Sequence, residues 1–454
     1  MVKKLVVVLS LLLLVAPAAI VTQAQACEGE VVQLRMDDWS SGDRVEYMVQ
    51  VLDAFEAENP CIDVVAEPNI GADANTRRLT MIASNTAPDL IATGESWIPL
   101  YAEADGFLDL TTFIEGENGI NPDDIFTGAV FDQGYYQGTP YAIAKDYSTS
   151  AVYINRALFN AAGIDIPEAG WTYEDMLDLA LELTLDADGN NALSPDFDPE
   201  NVVQYGMDII PDGWWRGYQS YLYANGAHTI SPDGTTTQGY LNSAEAVDAW
   251  QWYADLAHVH HVAPSATEIG GIEGGRVQMF QDGIVAMGVT FHGPWWQDVF
   301  NETPDLDWTV SPLPAGEAGR ASAVMWMGWG INQQTEHPEA AWELLKWLTT
   351  EPGQRVFALK ALSADVAVSE EMQRIDDPYW GVFIEEANYL DTLDEQLNPY
   401  YGPCVFTPAG DLLTRVMSDG GDEIDIAAEL DALAAEADQC LAESAEEGVA
   451  SATE

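Results

Sequence analysis

Short apolar runs and helical repeats alternate from Val31 onward, and this pattern most narrows the fold. Val31-Val32-Gln33-Leu34-Arg35-Met36 reads as a strand ending at Asp37-Asp38-Trp39. Val45, Met48, Val49, Leu52 and Phe55 then recur at helical spacing until Asn59-Pro60 stops the helix. Ile62 to Ala66 forms a second strand, a helix through Arg77, Leu79 and Ile82 follows, and Pro88-Asp89-Leu90-Ile91 opens a third strand. Such β-α-β alternation calls for a mostly parallel sheet covered by helices. Ligands of these sheets sit beyond the carboxyl ends of the strands, where Trp39 and Glu95 fall.

With 454 residues, 47% of them apolar, the chain has material for two or three domains at roughly 150 residues each. Its 75 acidic residues face only 16 Lys and Arg, a formal net charge of -59. That balance excludes nucleic acid, whose binding uses cations to displace phosphate counterions, and disfavours anionic membranes. Five of the cations are lysine. Carboxylates on this scale suit an ion-rich habitat, where salt screens their repulsion; a surface bias without environmental meaning is the alternative.

The first 26 residues read as an export signal. Lys3 and Lys4 precede an apolar run from Leu5 to Ala16, Pro17 breaks it, and Ala24-Gln25-Ala26 offers small residues for cleavage. The run is shorter than the roughly 20 residues a membrane span needs. An exported protein, periplasmic or at the cell surface, is expected. Its four cysteines then meet an oxidising compartment. Cys27 and Cys61 each precede a strand, and Cys404 and Cys440 lie 36 residues apart near the C-terminus. Two disulfides, Cys27 with Cys61 and Cys404 with Cys440, are expected. The alternative is a lipid anchor on Cys27, which would leave Cys61 odd.

Further along, Gly138 to Asn155 is extended and separates the first unit from a more helical one. Helices are expected from about Thr172, over Ala244 to His258, from Pro338 to Thr350, and over Asp425 to Glu443. Ser322 to Asn332 returns as a β-like stretch, and no internal repeat is present.

Tryptophan is the strongest chemical signal, with 15 residues. Trp214-Trp215, Trp295-Trp296 and Trp326/Trp329 fall at loops or element ends, where flat rings stack on sugars or on ammonium groups. Trp250, Trp252, Trp342 and Trp347 lie on amphipathic helices and read as core. His258, His260 and His261 close a helix, which suits the C-terminal dipole better than a metal. Asp186, Asp188 and Asn190 alternate like the start of a calcium loop, yet Gly189 is misplaced for an EF-hand; an Asx-turn loop is the preferred reading, and no cofactor is expected. The chain has no nucleophile elbow and no phosphate-cradling loop. A secreted glycoside hydrolase has no motif in its favour, although so many carboxylates could supply a catalytic pair.

In order along the chain come Asn75-Thr-Arg-Arg-Leu79, Ala87-Pro-Asp-Leu90, Gly94-Glu-Ser-Trp97, Tyr101 to Leu110 (YAEADGFLDL), Gly138-Thr-Pro-Tyr141 and Tyr153-Ile-Asn155. There follow Leu158 to Gly163 (LFNAAG), Trp171 to Met176 (WTYEDM), Phe280 to Met287 (FQDGIVAM), Gly293-Pro-Trp295, Gly328-Trp-Gly-Ile331 and Pro338 to Trp342 (PEAAW). In this set and order the sequence resembles the extracellular solute-binding proteins of ABC importers, family 1, the carbohydrate-uptake type that includes maltose-binding proteins. The resemblance covers nearly the whole chain after the signal.

It implies a type II periplasmic-binding-protein-like α/β fold of two lobes joined by several chain crossings. The first lobe would take residues 27–145 and 323–365, and the second 146–322 and 366–446; 447–454 would be a frayed tail. Ligand contacts implied by the motifs are Trp39, Arg77 and Glu95 in the first lobe, and Asp146 and Ser148 at the hinge. The second lobe would supply Trp214, Trp215, Arg216 and Trp295, with Trp329 at the second crossing and Tyr400 or Tyr401 near the third. A monomeric, non-enzymatic receptor would capture a sugar or oligosaccharide and deliver it to membrane permease subunits. The same fold binding a cationic solute, a polyamine or betaine, is the alternative ligand class.

Overall fold

The computed structural model describes residues 27, 29–39, 43–71, 73–126, 129–209, 216–291, 294–358 and 361–452. The signal segment lies outside them, as do Trp214, Trp215 and the side chains of Glu95, Arg216, Trp295 and Trp296.

Ten strands form one continuous sheet: β1 (Val32–Asp38), β2 (Ile62–Pro68), β3 (Leu90–Gly94), β4 (Ala142–Asn155), β5 (Leu185–Asp186), β6 (Val202–Met207), β7 (Val285–Phe291), β8 (Trp308–Ser311), β9 (Val324–Ile331) and β10 (Leu362–Ser363). The spatial order is β2-β1-β3-β9-β4-β7-β6-β5, with β8 and β10 also paired to β4. The helices named below are α1 (Asp43–Glu58), α2 (Ala74–Ala83), α3 (Tyr173–Leu183), α4 (Arg216–Ala224), α5 (Ala244–His258), α6 (Gly275–Gln281), α7 (Pro294–Glu302), α8 (Pro338–Thr349), α9 (Trp380–Glu386), α10 (Thr407–Val416) and α11 (Ile426–Ala452).

Local sequence explains these elements. β1 and β2 pair in parallel, Leu34 opposite Val64, and α1 covers them through Met48, Val51, Leu52 and Phe55. The buried stripe runs through Val51, not Val49 as the spacing suggests; Val49 is exposed because i, i+3, i+4, i+7 from Met48 faces the sheet. A capping box between Thr172 and Asp175 starts α3, and Pro338 at the first turn starts α8. Trp250, Trp342 and Trp347 are buried, as their helical positions imply. The indole N–H of Trp342 donates to the Asn118 carbonyl at 3.0 Å, and that of Trp347 to Glu58 Oε2 at 3.0 Å.

The two lobes meet along β4. Its first half pairs with β9 and its second half with β7 and β8, so this strand runs from one lobe into the other. At Asp146 and Tyr147, β9 and β10 both lie beside β4, which places three crossings side by side. The disulfides Cys27–Cys61 and Cys404–Cys440 are present, with Cα–Cα separations of 5.0 and 5.5 Å.

Candidate functional site

At the carboxyl end of β1, Asp37 is buried and paired with Arg78 of α2, whose side chain is fully enclosed. Burial pushes the Asp37 carboxyl up, and the Arg78 guanidinium opposes this. Arg78 also donates to Asn75 Oδ1 (2.8 Å) and to the Asn69 carbonyl (3.0 Å). Asp37 Oδ2 accepts from the Ala92 amide at 3.1 Å, tying β1 to β3. The guanidinium carbon of Arg78 stands 3.8 Å from the centroid of the Trp39 ring, a cation–π contact that fixes the half-buried indole at the strand end.

Arg77 and Arg78 are neighbours on α2 but point apart, since successive helical residues are about 100° around the axis. Arg77 is exposed and donates to Asn69 Oδ1 at 2.8 Å and to the Ile70 carbonyl. It therefore props the loop after β2, and Arg78 is the one that meets Trp39.

The hinge forms a second part of the site. Ser148 lies opposite Met325, and Asp146 opposite Met327, across the antiparallel β4/β9 pair. These four are half-buried, whereas Tyr147, Thr149, Val324 and Trp326 on the other face are buried. Thr149 Oγ1 donates to the Phe383 carbonyl at 2.7 Å, so α9 covers that other face. The half-open face thus carries a carboxylate, a hydroxyl and two thioethers in register. Lys145 pairs with Asp146. The register slips by one residue here, with Met327 opposite Asp146 but Gly328 opposite Ala144, leaving Lys145 as the extra residue. Period-2 alternation along Val324–Met327 could have singled out Met325 and Met327 from sequence; the indoles nearby drew attention instead.

Two of the expected contacts are enclosed side chains in this structure. Trp329 has no exposed surface; its indole N–H donates to the Asp37 carbonyl at 2.8 Å, and its ring packs on Phe357. Trp326 is buried as well, so neither ring presents an open face. Tyr401 is likewise enclosed, its hydroxyl 2.7 Å from Thr229 Oγ1. Tyr400 is half-buried, its amide bonded to Asn398 Oδ1 at 2.8 Å. Glu95 lies in the one-turn helix Glu95–Trp97 directly after β3, and Gly94 stands opposite Met327. The backbones of Arg216 and Trp295 open α4 and α7; their side chains, with Trp214 and Trp215, lie outside the described residues.

The remaining motifs have structural partners. Asp186 Oδ1 accepts from the amides of Asp188 (2.9 Å) and Asn190 (2.8 Å), and Oδ2 from the Asn190 side chain (2.9 Å) and the Asp198 amide (3.0 Å). Those donors make it an Asx-turn hub. His258 Nε2 lies 2.7 Å from the Val416 carbonyl, at the end of α10. Among the described residues, no three His, Cys, Asp or Glu side chains stand where they could hold one metal ion.

Comparison with known proteins agrees with this architecture. A binding protein of Brucella abortus is 26% identical over 346 residues, covering 74% of this chain and 76% of that protein. The arabinooligosaccharide-binding protein of Halalkalibacterium halodurans is 24% identical over 287 residues, 60% of this chain and 57% of that one. Among solved structures, the sugar-binding protein MalE from Xanthomonas citri superposes with a TM-score of 0.76 at 18% identity, covering 91% of this chain and 98% of that one. The family model described as bacterial extracellular solute-binding protein matches residues 39–355, and the chain belongs to that family.

Proposed function

We propose that this protein captures a neutral sugar or oligosaccharide between its lobes and hands it, without turnover, to the membrane subunits of an ABC importer. The observation that carries this reading is the hinge strip of Asp146, Ser148, Met325 and Met327. Its acceptor and hydroxyl suit sugar hydroxyls, and its thioethers suit the apolar C–H face of a sugar ring. Trp39 adds an aromatic surface at the end of β1. The similarity to an arabinooligosaccharide-binding protein and to a sugar-binding MalE supports the same class.

A cationic ligand would need carboxylates not already paired. Among the described carboxylates at the site, Asp37 is matched by Arg78 and Asp146 by Lys145, which favours the neutral ligand. We infer that no metal is required, because amide donors occupy both oxygens of Asp186. Export with the signal segment removed, and a monomeric state, complete the proposal.

Titration calorimetry with arabino- and malto-oligosaccharides, run beside a reducing-end assay, tests this function. One ligand per chain with no released reducing ends is expected. Release of reducing ends by the purified protein would replace the receptor reading with a glycoside hydrolase.

A further inference from the structure

The short turn Asp394–Gln396 is built into the second lobe. The Asp394 carboxylate accepts from the Thr229 amide and the Thr229 hydroxyl, both at 2.6 Å, and pairs with His228 Nδ1 at 2.8 Å. With its own hydrogen used on Asp394, Thr229 Oγ1 accepts from the Tyr401 hydroxyl at 2.7 Å. The Asp394 amide donates to the Tyr223 hydroxyl at 3.2 Å. Gln219 Nε2 donates to Glu395 Oε2 at 3.0 Å and to the Tyr223 oxygen at 2.6 Å. Just beyond the turn, Asn398 donates to the Gly234 carbonyl at 2.8 Å. Gly234 has φ +69°, and a Cβ there would stand 2.1 Å from the Leu397 carbonyl oxygen, so glycine is needed for this close approach.

The other side of the turn faces the first lobe. Gln396 Nε2 donates to the Gln133 carbonyl at 2.8 Å. Gln133 lies in the turn Phe131–Gly134, which packs on the first-lobe end of β4; a Cβ on Gly134 would meet the Ala142 carbonyl oxygen at 2.0 Å. The one-turn helix Glu95–Trp97, also of the first lobe, packs against Asp394–Gln396 as well. Asp394, Glu395 and Gln396 are all buried.

The bonds to Thr229, Gln219 and Gly234 lie within one lobe and survive any change of the angle between lobes. The bond from Gln396 to Gln133 does not, because its donor and acceptor belong to different lobes. It therefore contributes only when the lobes are together, the differential interaction that a two-state equilibrium requires. A ligand that binds the closed form has its apparent affinity scaled by the closed fraction.

We propose that Gln396 is a latch that biases the lobes closed before ligand arrives, and so sets ligand affinity without touching the ligand. Thr229 and Tyr401 are its positioning residues, holding the Asp394 turn against the second lobe. The proposal rests on the reading of the protein as a two-lobed receptor that closes, and its test needs no ligand.

Spin labels at Thr76→Cys on α2 and Glu245→Cys on α5, in the full chain after signal removal, report the distance between lobes by pulsed dipolar spectroscopy. Removing one buried hydrogen bond and stranding its acceptor is expected to lower the closed-to-open ratio roughly tenfold in Gln396→Ala. Gln396→Glu keeps the shape but loses the donor and should act alike; Thr229→Val should shift the ratio the same way. The melting temperature of the Gln396 variants should stay within about 2 °C of the parent, as expected when each lobe keeps its own core. Distance distributions identical to the parent in both Gln396 variants would overturn the latch, with or without a change in melting temperature. Since no sugar is added, a wrong sugar assignment would leave this result standing.

Discussion

Asp146 stands directly opposite Met327 where β4 passes from one lobe to the other, with Lys145 bulged out beside it. The unbroken register from Val324 to Met327 puts Asp146, Ser148, Met325 and Met327 on one half-open face. Trp326 is buried on the opposite face, and Trp329 is enclosed against Phe357 and the Asp37 carbonyl. A hinge built this way has a polar acceptor and apolar sulfurs where both lobes can close on a ligand.

Replacing Asp146 with Ala should therefore weaken sugar binding by about 1.5–3 kcal/mol, the range for a hydrogen bond to a charged group. Met327→Ala should cost less, since only packing is lost. Calorimetry against the sugar selected by screening measures both, with melting curves to show that the fold persists. Unaltered affinity in Asp146→Ala would remove the hinge carboxylate from the site.

The adjacent arginines should behave differently. Arg78→Ala strands the buried Asp37 carboxylate and should destabilise the protein by about 3–5 kcal/mol, as broken buried pairs do. Arg77 is exposed, so Arg77→Ala should cost under about 1 kcal/mol. Urea unfolding of the two variants decides; equal losses would contradict the burial assigned to Arg78.

His228 supplies a pH signature. The Asp394 carboxylate bonded to its ring, with Asp391 3.9 Å from Nε2, holds the imidazole above its ordinary value of 6.5, although burial works against this. The stacked Tyr223 ring completes its surroundings. The folded chain thus binds this proton more tightly than the unfolded one. Its contribution is full below the unfolded value and is lost as pH rises through the raised folded value. Melting temperatures from pH 6 upward should fall less steeply in His228→Gln than in the parent, and parallel profiles would exclude this pair as a source of pH dependence.

Each disulfide closes a loop, with sequence separations of 34 and 36. Chain entropy for loops of this size gives about 4 kcal/mol each. Paired Cys→Ala variants should lower unfolding free energies by about 2–4 kcal/mol apiece, read from denaturant melts under oxidising conditions. Losses near zero for Cys27/Cys61 would mean that β1 and β2 are held by their ladder alone.

Much of the fold was legible because it rests on local periodicity. The strand at Val32–Asp38 and the helices Ala244–His258 and Pro338–Thr349 lie within a residue or two of where apolar spacing and caps put them. Cys27 and Cys61 pair because each flanks one of two adjacent strands. The site was less legible. Trp329 looked like a platform because its enclosure comes from partners distant in sequence, the Asp37 carbonyl and Phe357. Arg77 and Arg78 differ only by rotation around a helix, and sequence alone does not say which faces the sheet. The contact from Gln396 to Gln133 spans 263 residues and follows no pattern that a linear reading could detect.

The most direct measurement is a thermal-shift screen of the exported form against mono- and oligosaccharides, polyamines and betaines, at low and high salt. A ligand at 100 times its Kd adds about 2.7 kcal/mol, enough for a clear rise in melting temperature. A shift with one sugar class and none with the cations is the predicted result. A shift with cations alone would keep the two-lobed receptor and contradict the sugar.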